Sequence, residues 1–300
     1  MRIFLLYGGN SPERAVAVQG ALRVIDAFAG SEHTVTAHDH RGGLPREEVL
    51  AAMRASDAVF LCLHGGEGEG GVLQSALETA GIFHYTGTAP AGAALALDKA
   101  RARAAVEKAG VPIARGTVWM PDAPPPSVTL PVMAKPVSGG SSVGLCKINT
   151  AAELSALSPT DPLLLEEYLT GREFTVGVLE GKPLPPVEII PHGGIYDYTH
   201  KYTPGATAEL CPAPISEKQA QRLAALAMTA YHTLGLRDFA RIDFKESANG
   251  TPCFLEANTL PGLTKTSLLP LAAGASGISY LTLCVRMASA AAKRKRTSET

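Results

Sequence analysis

The sequence predicts an α/β protein whose first part is built on a parallel sheet. In roughly the first hundred residues, short apolar runs alternate with segments of helical periodicity, the pattern of strands joined by crossover helices. A proline-rich segment, Pro121–Pro131, then interrupts the chain. Beyond it, several short strand-like runs surround one long helix. The later part is therefore expected to consist of α+β modules.

The first module is expected to end near Ala96. Because helices separate its strands, the strands should lie parallel in one sheet. The predicted strands are Arg2–Tyr7, His33–His38 and Ala58–Leu63, and the predicted helices are Glu13–Phe28 and Glu47–Ala55.

The rest of the chain is predicted to contain mostly strands, with Pro121–Pro131 as a linker by composition. The predicted strands are Val132–Lys135, Gly144–Ile148, Leu163–Glu167, Glu173–Leu179, Pro186–Ile190, Ala240–Lys245 and Pro252–Ala257, with one helix at Ser216–Gly235.

Composition excludes several classes of protein. With 46% hydrophobic and 18% charged residues, the chain can bury a sizeable core and is not a disordered protein. Lys plus Arg number 27 against 28 for Asp plus Glu, so there is no electrostatic footprint for a nucleic acid. The exception is the basic run Lys293–Arg296, which we predict to be a solvated end.

Cysteine usage and hydropathy predict the compartment. The five cysteines are scattered, with no CxxC pair and no metal-ligand spacing, as expected in a reducing environment. The N-terminal apolar run is too short for a signal peptide, and no run approaches the length of a membrane span. A cytoplasmic protein without membrane partners is therefore expected.

The glycines Gly66, Gly68 and Gly71 follow a predicted strand with the spacing of a dinucleotide fingerprint. Glu67 and Glu69 lie inside this loop, where their charge would repel a pyrophosphate. No acidic residue ends a strand about twenty positions later to hold a ribose hydroxyl. The pattern therefore gives a nicotinamide or flavin enzyme little support.

A second glycine-rich loop, Ser138–Gly144, lies between two predicted strands. Its small residues leave backbone N–H groups free to contact anionic oxygens, and its hydroxyls add donors. Taken alone, the loop is as consistent with a hairpin turn as with a phosphate lid. Lys135, just before it, favours the phosphate interpretation.

The residues with the densest chemistry are Arg241-x-Asp243 and Glu256-x-Asn258, on two predicted strands. Residues two apart on a strand point to the same face. If the strands are neighbours, three hard oxygen ligands converge and suit Mg²⁺ held with substrate phosphates, with Arg241 placed to stabilise developing negative charge. The alternative is two half-exposed strands carrying ordinary polar residues.

These motifs, together with others along the chain, resemble the D-alanine–D-alanine ligase family of the ATP-grasp superfamily. The resemblance extends over nearly the whole chain, from about Met1 to Tyr280. The motifs that carry it are Gly8-Gly9-x-Ser11-x-Glu13, His64-Gly65, Leu97-Asp98-Lys99, Lys135-Pro136, Gly140-Ser141-Ser142-Val143-Gly144, Tyr196-Asp197-Tyr198, Lys201-Tyr202, Arg241-x-Asp243, Leu255-Glu256-Ala257-Asn258-Thr259, Pro261-Gly262 and Ser267-Leu268.

The resemblance implies a three-module ATP-grasp architecture. Residues 1–97 would form the N-terminal parallel-sheet domain with the first D-amino-acid site, 98–173 the central subdomain, and 174–300 the C-terminal subdomain with the magnesium and second-substrate sites. The implied reaction is ATP-dependent formation of D-alanyl-D-alanine through an acyl phosphate, for peptidoglycan precursor synthesis. The implied partners are small molecules, D-alanine and ATP, and the family also suggests a homodimer.

By similarity, each functional residue takes an expected role. Lys99 and Lys135 would contact the α- and β-phosphates of ATP, Lys201 the γ-phosphate, Glu166, Glu167 and Leu169 the adenine, and Glu173 the ribose. Asp243, Glu256 and Asn258 would bind two Mg²⁺ ions, which Mn²⁺ can replace. Glu13, held by Ser141 and Tyr202, would pair with the first ammonium, and His64 would line the substrate site. Arg241 and the Gly262 N–H would stabilise the oxyanion, and Ser267 and Leu268 would bind the second carboxylate.

The sequence also departs from the family pattern. Gly70 stands where an Asp is usual, and Lys265-Thr266 replaces the usual polar pair near the second-substrate residues. The alternatives are therefore a related ligase with a different second D-amino acid or a secondary-metabolite substrate, and a nucleotide-binding protein that has lost catalysis. The Lys201-Tyr202 pair resembles the dipeptide-forming enzymes.

Overall fold

The computed structural model describes residues 1–140, 144–191 and 207–298, with the side chains of 296–298 excepted. Its N-terminal sheet has the order β2-β1-β3, and all of its strands are parallel. Every residue of β3 is buried, as expected for a parallel strand covered on both faces. The elements are β1 Arg2–Gly8, α1 Arg14–Phe28, β2 Thr34–His40, α2 Glu47–Ala55 and β3 Ala58–Leu63. The predicted parallel sheet is confirmed.

Four helices follow β3, for none of which the sequence pattern gave bounds. They are α3 Gly66–Glu69, α4 Val72–Thr79, α5 Pro90–Leu97 and α6 Lys99–Lys108. The expectation of a plain loop after β3 was wrong, because the glycine segment forms one helical turn. Apolar residues and glycine make up all of α5 apart from its first residue, a proline, so no amphipathic period marks it. The Asp98 carboxylate caps α6 by accepting from the Arg101 N–H at 2.9 Å.

The central sheet is antiparallel, with the order β4-β7-β5-β6. Its elements are β4 Gly116–Trp119, β5 Val132–Pro136, β6 Cys146–Ile148, α7 Ala151–Ala156 and β7 Leu163–Glu167. The segment Pro121–Pro131 joins β4 to β5. The proline run is therefore a loop within one sheet, and the prediction of a linker there was wrong. Proline marks irregular backbone but does not tell a loop from a boundary.

The C-terminal sheet has the order β11-β10-β8-β12-β13, with β9 beside β8. The capping box of Ser216 and Gln219 begins its long helix, α8. The last two helices, α9 and α10, pack into the core of the N-terminal sheet. The elements are β8 Glu173–Leu179, β9 Lys182–Pro183, β10 Val187–Pro191, β11 Thr207–Leu210, α8 Glu217–Thr233, β12 Phe239–Glu246, β13 Pro252–Asn258, α9 Leu268–Ala275 and α10 Tyr280–Ser298.

No helix of the described ranges is, by itself, long and apolar enough to cross a membrane. Helices α9 and α10 reach that measure only together, with a bend of 107° between them.

The basic run near the C-terminus is part of α10, and the prediction of a solvated end was wrong for Arg294 and Lys295. Arg294 forms two hydrogen bonds with the Asp238 carboxylate, at 2.8 and 2.7 Å, and donates to the Phe83 carbonyl. Lys295 donates to the carbonyls of Arg54 and Ser56, at the C-terminal end of α2. These partners lie far away in sequence, so a charge count could not reveal them.

We expect the Arg294→Met substitution to lower the free energy of unfolding by about 2–3 kcal/mol. The Asp238 side chain is only 7% exposed, and removing one member of a buried pair leaves an uncompensated charge. The measurement is urea unfolding followed by circular dichroism. Arg286→Met on the same helix is the matched control, because its pair with Glu180 is about one-third exposed and should contribute less than about 1 kcal/mol. Equal losses in the two variants would contradict the prediction.

Candidate active site

The pairing of β12 with β13 brings the predicted ligand residues together. Asp243 lies directly opposite Glu256, and Arg241 lies opposite Asn258. On the other side of β12, Asp243 is opposite Thr175 of β8. The condition that the sequence left open, that these two strands are neighbours, is therefore met.

Asp243 is the hub of this cluster. One carboxylate oxygen accepts from the Thr175 hydroxyl at 2.6 Å and the Arg241 Nε at 2.9 Å. The other accepts from the Arg241 Nη2 at 2.9 Å and the Asn258 amide at 3.0 Å. Sequence analysis did not single out Thr175, whose only signal was its place on a strand that could pair with β12. The network fixes the carboxylate in one orientation.

The oxygen atoms of the cluster suit a hard cation that takes only some of its ligands from the protein. Asp243, Glu256 and Asn258 offer two carboxylates and one amide oxygen. Across the described residues, no group of three His, Cys, Asp or Glu side chains forms a complete cage. Magnesium usually binds one or two carboxylates and takes its remaining ligands from water and phosphates. The residues therefore fit magnesium held jointly with a phosphate-bearing substrate.

A deep cleft separates the central sheet from the C-terminal sheet beside this cluster. The empty space within it, including open solvent at its mouth, is about 960 Å³. Lys99 and Lys135 stand on its wall and are both buried. Lys99 Nζ lies 3.6 Å from a carboxylate oxygen of Glu256. The cleft thus combines fixed positive charge with the predicted metal ligands.

Glu166 forms an ion pair that orients the Lys135 side chain. This carboxylate is 3% exposed and forms ion pairs with both Lys135 and Arg103. Arg103 also donates to the Ala114 carbonyl. Sequence analysis missed Arg103, because nothing in its helix distinguishes it from the neighbouring solvated Arg101.

The far end of the cleft is apolar at its base and charged at its rim. Leu169 is 5% exposed and packs with Ala114 and Cys253. Glu173 pairs with Lys245 at 2.9 Å, and Glu167 pairs with the exposed Arg115 at 3.1 Å. An apolar slot with a few polar groups at its edge suits a planar ring and its attached sugar.

A second pocket of about 610 Å³ lies on the other side of the cluster. Its walls come from the start of α1, from α3 and from the loop after β13. The lining includes Glu13, His64, Glu69, Arg241, Asn258, Gly262, Ser267 and Leu268. Asp243 and Glu256 face the cleft, while their neighbours Arg241 and Asn258 face this pocket. The two cavities therefore adjoin at these four residues of β12 and β13.

Glu13 is buried at the N-terminal end of α1. The Ser11 hydroxyl accepts from its N–H and donates to the His64 carbonyl. Gly140, of the second glycine-rich loop, approaches so closely that a Cβ there would lie 2.7 Å from the Glu13 carboxylate. Gly140, which lines the cleft, therefore contacts a residue that lines the second pocket.

His64 lines the second pocket, and its two ring nitrogens differ in their hydrogen bonding. Its Nδ1 lies 2.9 Å from the Leu260 carbonyl, so Nδ1 carries the proton and donates. Burial lowers the pKa of the imidazole, with the Glu13 carboxylate acting in the opposite direction. Its Nε2 is buried and has no hydrogen-bond partner in the part of the chain that the structure describes. The ring is thus a neutral acceptor.

Glu69 shows why the glycine fingerprint is not a dinucleotide loop. Its carboxylate accepts from the Gly65 N–H at 3.0 Å and lies 3.5 Å from the Leu260 N. These are donors that a bound pyrophosphate would need. Burial, with the nearby Glu13 as the second cause, raises the pKa of Glu69 to about 7.

We expect Glu69 to make folding less favourable as the pH rises from about 4.5 to about 7. Below this window the carboxyl is protonated in both states. Within it only the unfolded chain ionises, so the folded state binds more protons and stability falls with rising pH. Glu69→Gln should remove this part of the slope in melting temperature measured between pH 5 and 8. Glu67→Gln in the same helix is the control, and an unchanged slope in Glu69→Gln would contradict the prediction.

Ser267 and Gly262 are packed together at the edge of the second pocket. Ser267 directly precedes α9, and its hydroxyl accepts from the Thr264 N–H at 2.9 Å. A Cβ on Gly262 would lie 2.7 Å from the Ser267 Oγ, so a larger residue there would displace the Ser267 hydroxyl. Thr266 also lines the pocket, and Lys265 is exposed beside it.

The described residues do not include every predicted site residue. Ser141, Lys201 and Tyr202 lie outside them, as does the motif Tyr196-Asp197-Tyr198. The remaining predicted site residues line the cleft or the second pocket.

The structure has a cleft between two antiparallel sheets, with lysines on its wall and a cluster of oxygen ligands beside it. An N-terminal parallel sheet completes the arrangement. Together these features define an ATP-grasp protein. The family model described as D-ala D-ala ligase C-terminus matches residues 121–289. The chain is 40% identical to a D-alanine--D-alanine ligase of Oleidesulfovibrio alaskensis, over 93% of both chains.

Solved structures of ligases have the same fold as this chain. A D-alanine--D-alanine ligase of Bacillus anthracis has a TM-score of 0.82 at 26% identity, over 99% of both chains. The VanG D-Ala:D-Ser ligase of Enterococcus faecalis has a TM-score of 0.80 at 26% identity, over 97% of this chain and 99% of that one. The chain belongs to the D-alanine–D-alanine ligase family, and the predicted family and fold class are confirmed.

Proposed function

We propose that this chain joins two molecules of D-alanine into D-alanyl-D-alanine, converting ATP to ADP and phosphate, and thereby supplies a peptidoglycan precursor. The observation that carries this proposal is the meeting of the cleft and the second pocket at Arg241, Asp243, Glu256 and Asn258. A nucleotide in the cleft can present its terminal phosphate to a substrate in the pocket only where the two cavities join.

The proposed ATP site uses the cleft from end to end. Leu169 forms an apolar base for adenine, with Glu166 and Glu167 beside it, and Glu173 is placed for the ribose. Lys99, whose Nζ lies 3.6 Å from the Glu256 carboxylate, and Lys135 suit the phosphates. Lys201 is proposed for the γ-phosphate by family similarity alone. The corresponding division of the chain is 1–97, 98–173 and 174–300.

Asp243, Glu256 and Asn258 are proposed to hold two Mg²⁺ ions. When bound, the metal would neutralise phosphate charge during transfer. The protein's own part is to fix the ligands, since the carboxylate of Asp243 is already oriented by Thr175 and Arg241.

In the first step, a carboxylate oxygen of the first D-alanine forms a bond to the γ-phosphorus. The bond from that phosphorus to the bridging oxygen breaks, and ADP leaves with the electron pair. Glu13 holds the substrate ammonium, and Ser141 and Tyr202 are proposed to support Glu13. The product is an acyl phosphate, which turns a poor electrophile into a reactive one.

In the second step, the amine of the second D-alanine attacks the acyl carbon, and phosphate leaves as the carbon–oxygen bond breaks. The nitrogen gives up one proton before the attack and one after it. Arg241 and the Gly262 N–H stabilise the oxyanion that forms, and Ser267, with the Leu268 N–H at the start of α9, binds the second carboxylate. The His64 Nε2 offers an acceptor to a substrate N–H.

Phosphate release from Mg·ATP with single D-amino acids, followed by mass spectrometry of the products, tests this function. D-alanyl-D-alanine as the dominant product is the expected result. A mixed dipeptide such as D-alanyl-D-serine, the kind of product that the name of the Enterococcus faecalis protein indicates, would keep the mechanism and change the second substrate. Tight ATP binding without phosphate release from any member of the panel would overturn the proposed activity.

A further inference from the structure

Helix α1 spans the two proposed substrate positions, and the inference drawn from it rests on the proposed function. Glu13 lies at its N-terminal end, beside the proposed position of the first substrate. Arg23 follows ten residues later, which places it about 15 Å further along the helix axis. The mechanism above gives Arg23 no role, yet its side chain reaches the loop that carries Gly262 and Ser267.

Arg23 binds two consecutive carbonyl groups of that loop. Its Nη1 donates to the Thr264 carbonyl and lies 3.4 Å from the Leu263 carbonyl. Its guanidinium carbon lies 3.7 Å from the ring centroid of Tyr280, the first residue of α10. The Tyr280 hydroxyl donates to the same Leu263 carbonyl at 2.8 Å. Two helices that are distant in sequence thus hold one short stretch of backbone.

The stretch so held is connected directly to Ser267. The Thr264 N–H donates to the Ser267 Oγ at 2.9 Å, and the two hydroxyls are also 2.9 Å apart. Leu263 and Thr264 are 2% and 8% exposed, so they have little room to move independently of their partners. A shift of the Thr264 carbonyl would therefore move the hydroxyl proposed to bind the second carboxylate.

The backbone of α1 also contacts this loop. Gly20 lies one turn before Arg23, and a Cβ at Gly20 would lie 3.6 Å from the Leu263 Cβ and 3.7 Å from the Leu263 N. These are ordinary van der Waals distances, so the backbone of α1 lies one methyl group's width from the loop. The loop position is thus set by the same rigid helix that carries Glu13.

We propose that Arg23, stacked on Tyr280, is a positioning residue for the second amino acid. It fixes the loop of Gly262 and Ser267 relative to Glu13, and so sets the spacing between the two substrates. The charged guanidinium provides a hydrogen bond of the stronger kind to the Thr264 carbonyl, which also accepts from the Ser267 N–H at 3.2 Å, and it adds a second donor beside the Leu263 carbonyl. Acting through the loop, it should influence the second half-reaction and leave the first unaffected.

The test separates the two half-reactions. Phosphate release as a function of D-alanine concentration gives a KM for each D-alanine, and hydroxylamine traps the acyl phosphate as a hydroxamate. Arg23→Met should raise the KM of the second D-alanine about tenfold, the equivalent of one charge-assisted hydrogen bond. The KM of the first D-alanine and the rate of hydroxamate formation should stay within about twofold of wild type.

Two further variants keep the test independent of folding defects. Tyr280→Phe retains the ring beneath the guanidinium and removes only the hydroxyl, so we expect a rise of about threefold in the second KM. Arg23→Lys keeps the charge without the planar fork, and its KM should fall between wild type and Arg23→Met. Arg286→Met, which loses a partly exposed pair whose members line neither pocket, is the control and should match wild type.

The outcomes distinguish the two proposals. With an active wild type, an unchanged second KM in Arg23→Met overturns the role of Arg23 alone. So does an equal loss in both half-reactions, because that is the sign of a general structural defect. A wild-type chain that releases no phosphate with any D-amino acid overturns the proposed function, and the role of Arg23 with it.

Discussion

The Arg241→Met substitution is expected to lower kcat about 10²–10³-fold, the loss typical of removing one oxyanion-stabilising donor. Arg241 lies between the two cavities, and its guanidinium is held in plane by two hydrogen bonds of 2.9 Å to Asp243. It is therefore oriented before substrates bind and needs no reorganisation as charge develops. The measurement is steady-state phosphate release with saturating Mg·ATP and D-alanine.

The change at Arg241 also frees Asp243, so the two effects must be separated. Arg241→Lys keeps a positive charge but cannot form the two-point contact, and it should recover only part of the loss. Isothermal titration calorimetry measures the affinity for Mg·ATP, which shows whether Asp243 still supports metal and nucleotide binding. A variant whose kcat falls less than about tenfold, with unchanged nucleotide binding, would exclude Arg241 as the oxyanion stabiliser.

The Asp243→Asn substitution is expected to raise the Mg²⁺ concentration needed for half-maximal activity by more than tenfold, and to lower kcat by about 100-fold or more. Asn supplies one neutral oxygen in place of a carboxylate, and its amide N–H₂ would meet the donors of Arg241 and Thr175. Both changes weaken a hard-cation site. Activity measured across a magnesium titration at constant ATP tests the prediction.

Two comparison variants define the size of this effect. Thr175→Val removes the 2.6 Å hydrogen bond to Asp243 and leaves the carboxylate in place, so its loss should be smaller, about tenfold. Asp26→Asn, on the exposed face of α1, should leave the magnesium dependence unchanged. A wild-type magnesium titration for Asp243→Asn would place the metal elsewhere.

Several features of the fold and site followed from local pattern alone. The strand Ala58–Leu63 and the helix Glu47–Ala55 have the predicted bounds, because each has a clean period or a continuous apolar run. The alternation in Arg241-x-Asp243 and Glu256-x-Asn258 indicated which side chains share a face, since strand geometry repeats every two residues. These segments required no knowledge of their neighbours.

Other features had no local signal. Helix α5 was missed because its apolar residues cover every face, and the proline loop between β4 and β5 was mistaken for a linker. The role of Arg103 depends on a carboxylate 63 residues away. Arg294, likewise, was assigned to a solvated end although it binds Asp238 across 56 residues.

By itself, the sequence determined the fold class, the family and the types of residue available for phosphate and metal chemistry, because these follow from periodicity, composition and motif order. Only the tertiary structure decided that Asp243 faces Glu256, that Glu69 has a pKa of about 7, and that Arg23 reaches the loop of Gly262. The reason is physical. Strand register, desolvation and contacts between distant helices depend on which segments pack together, and that choice is made by burial of the whole chain.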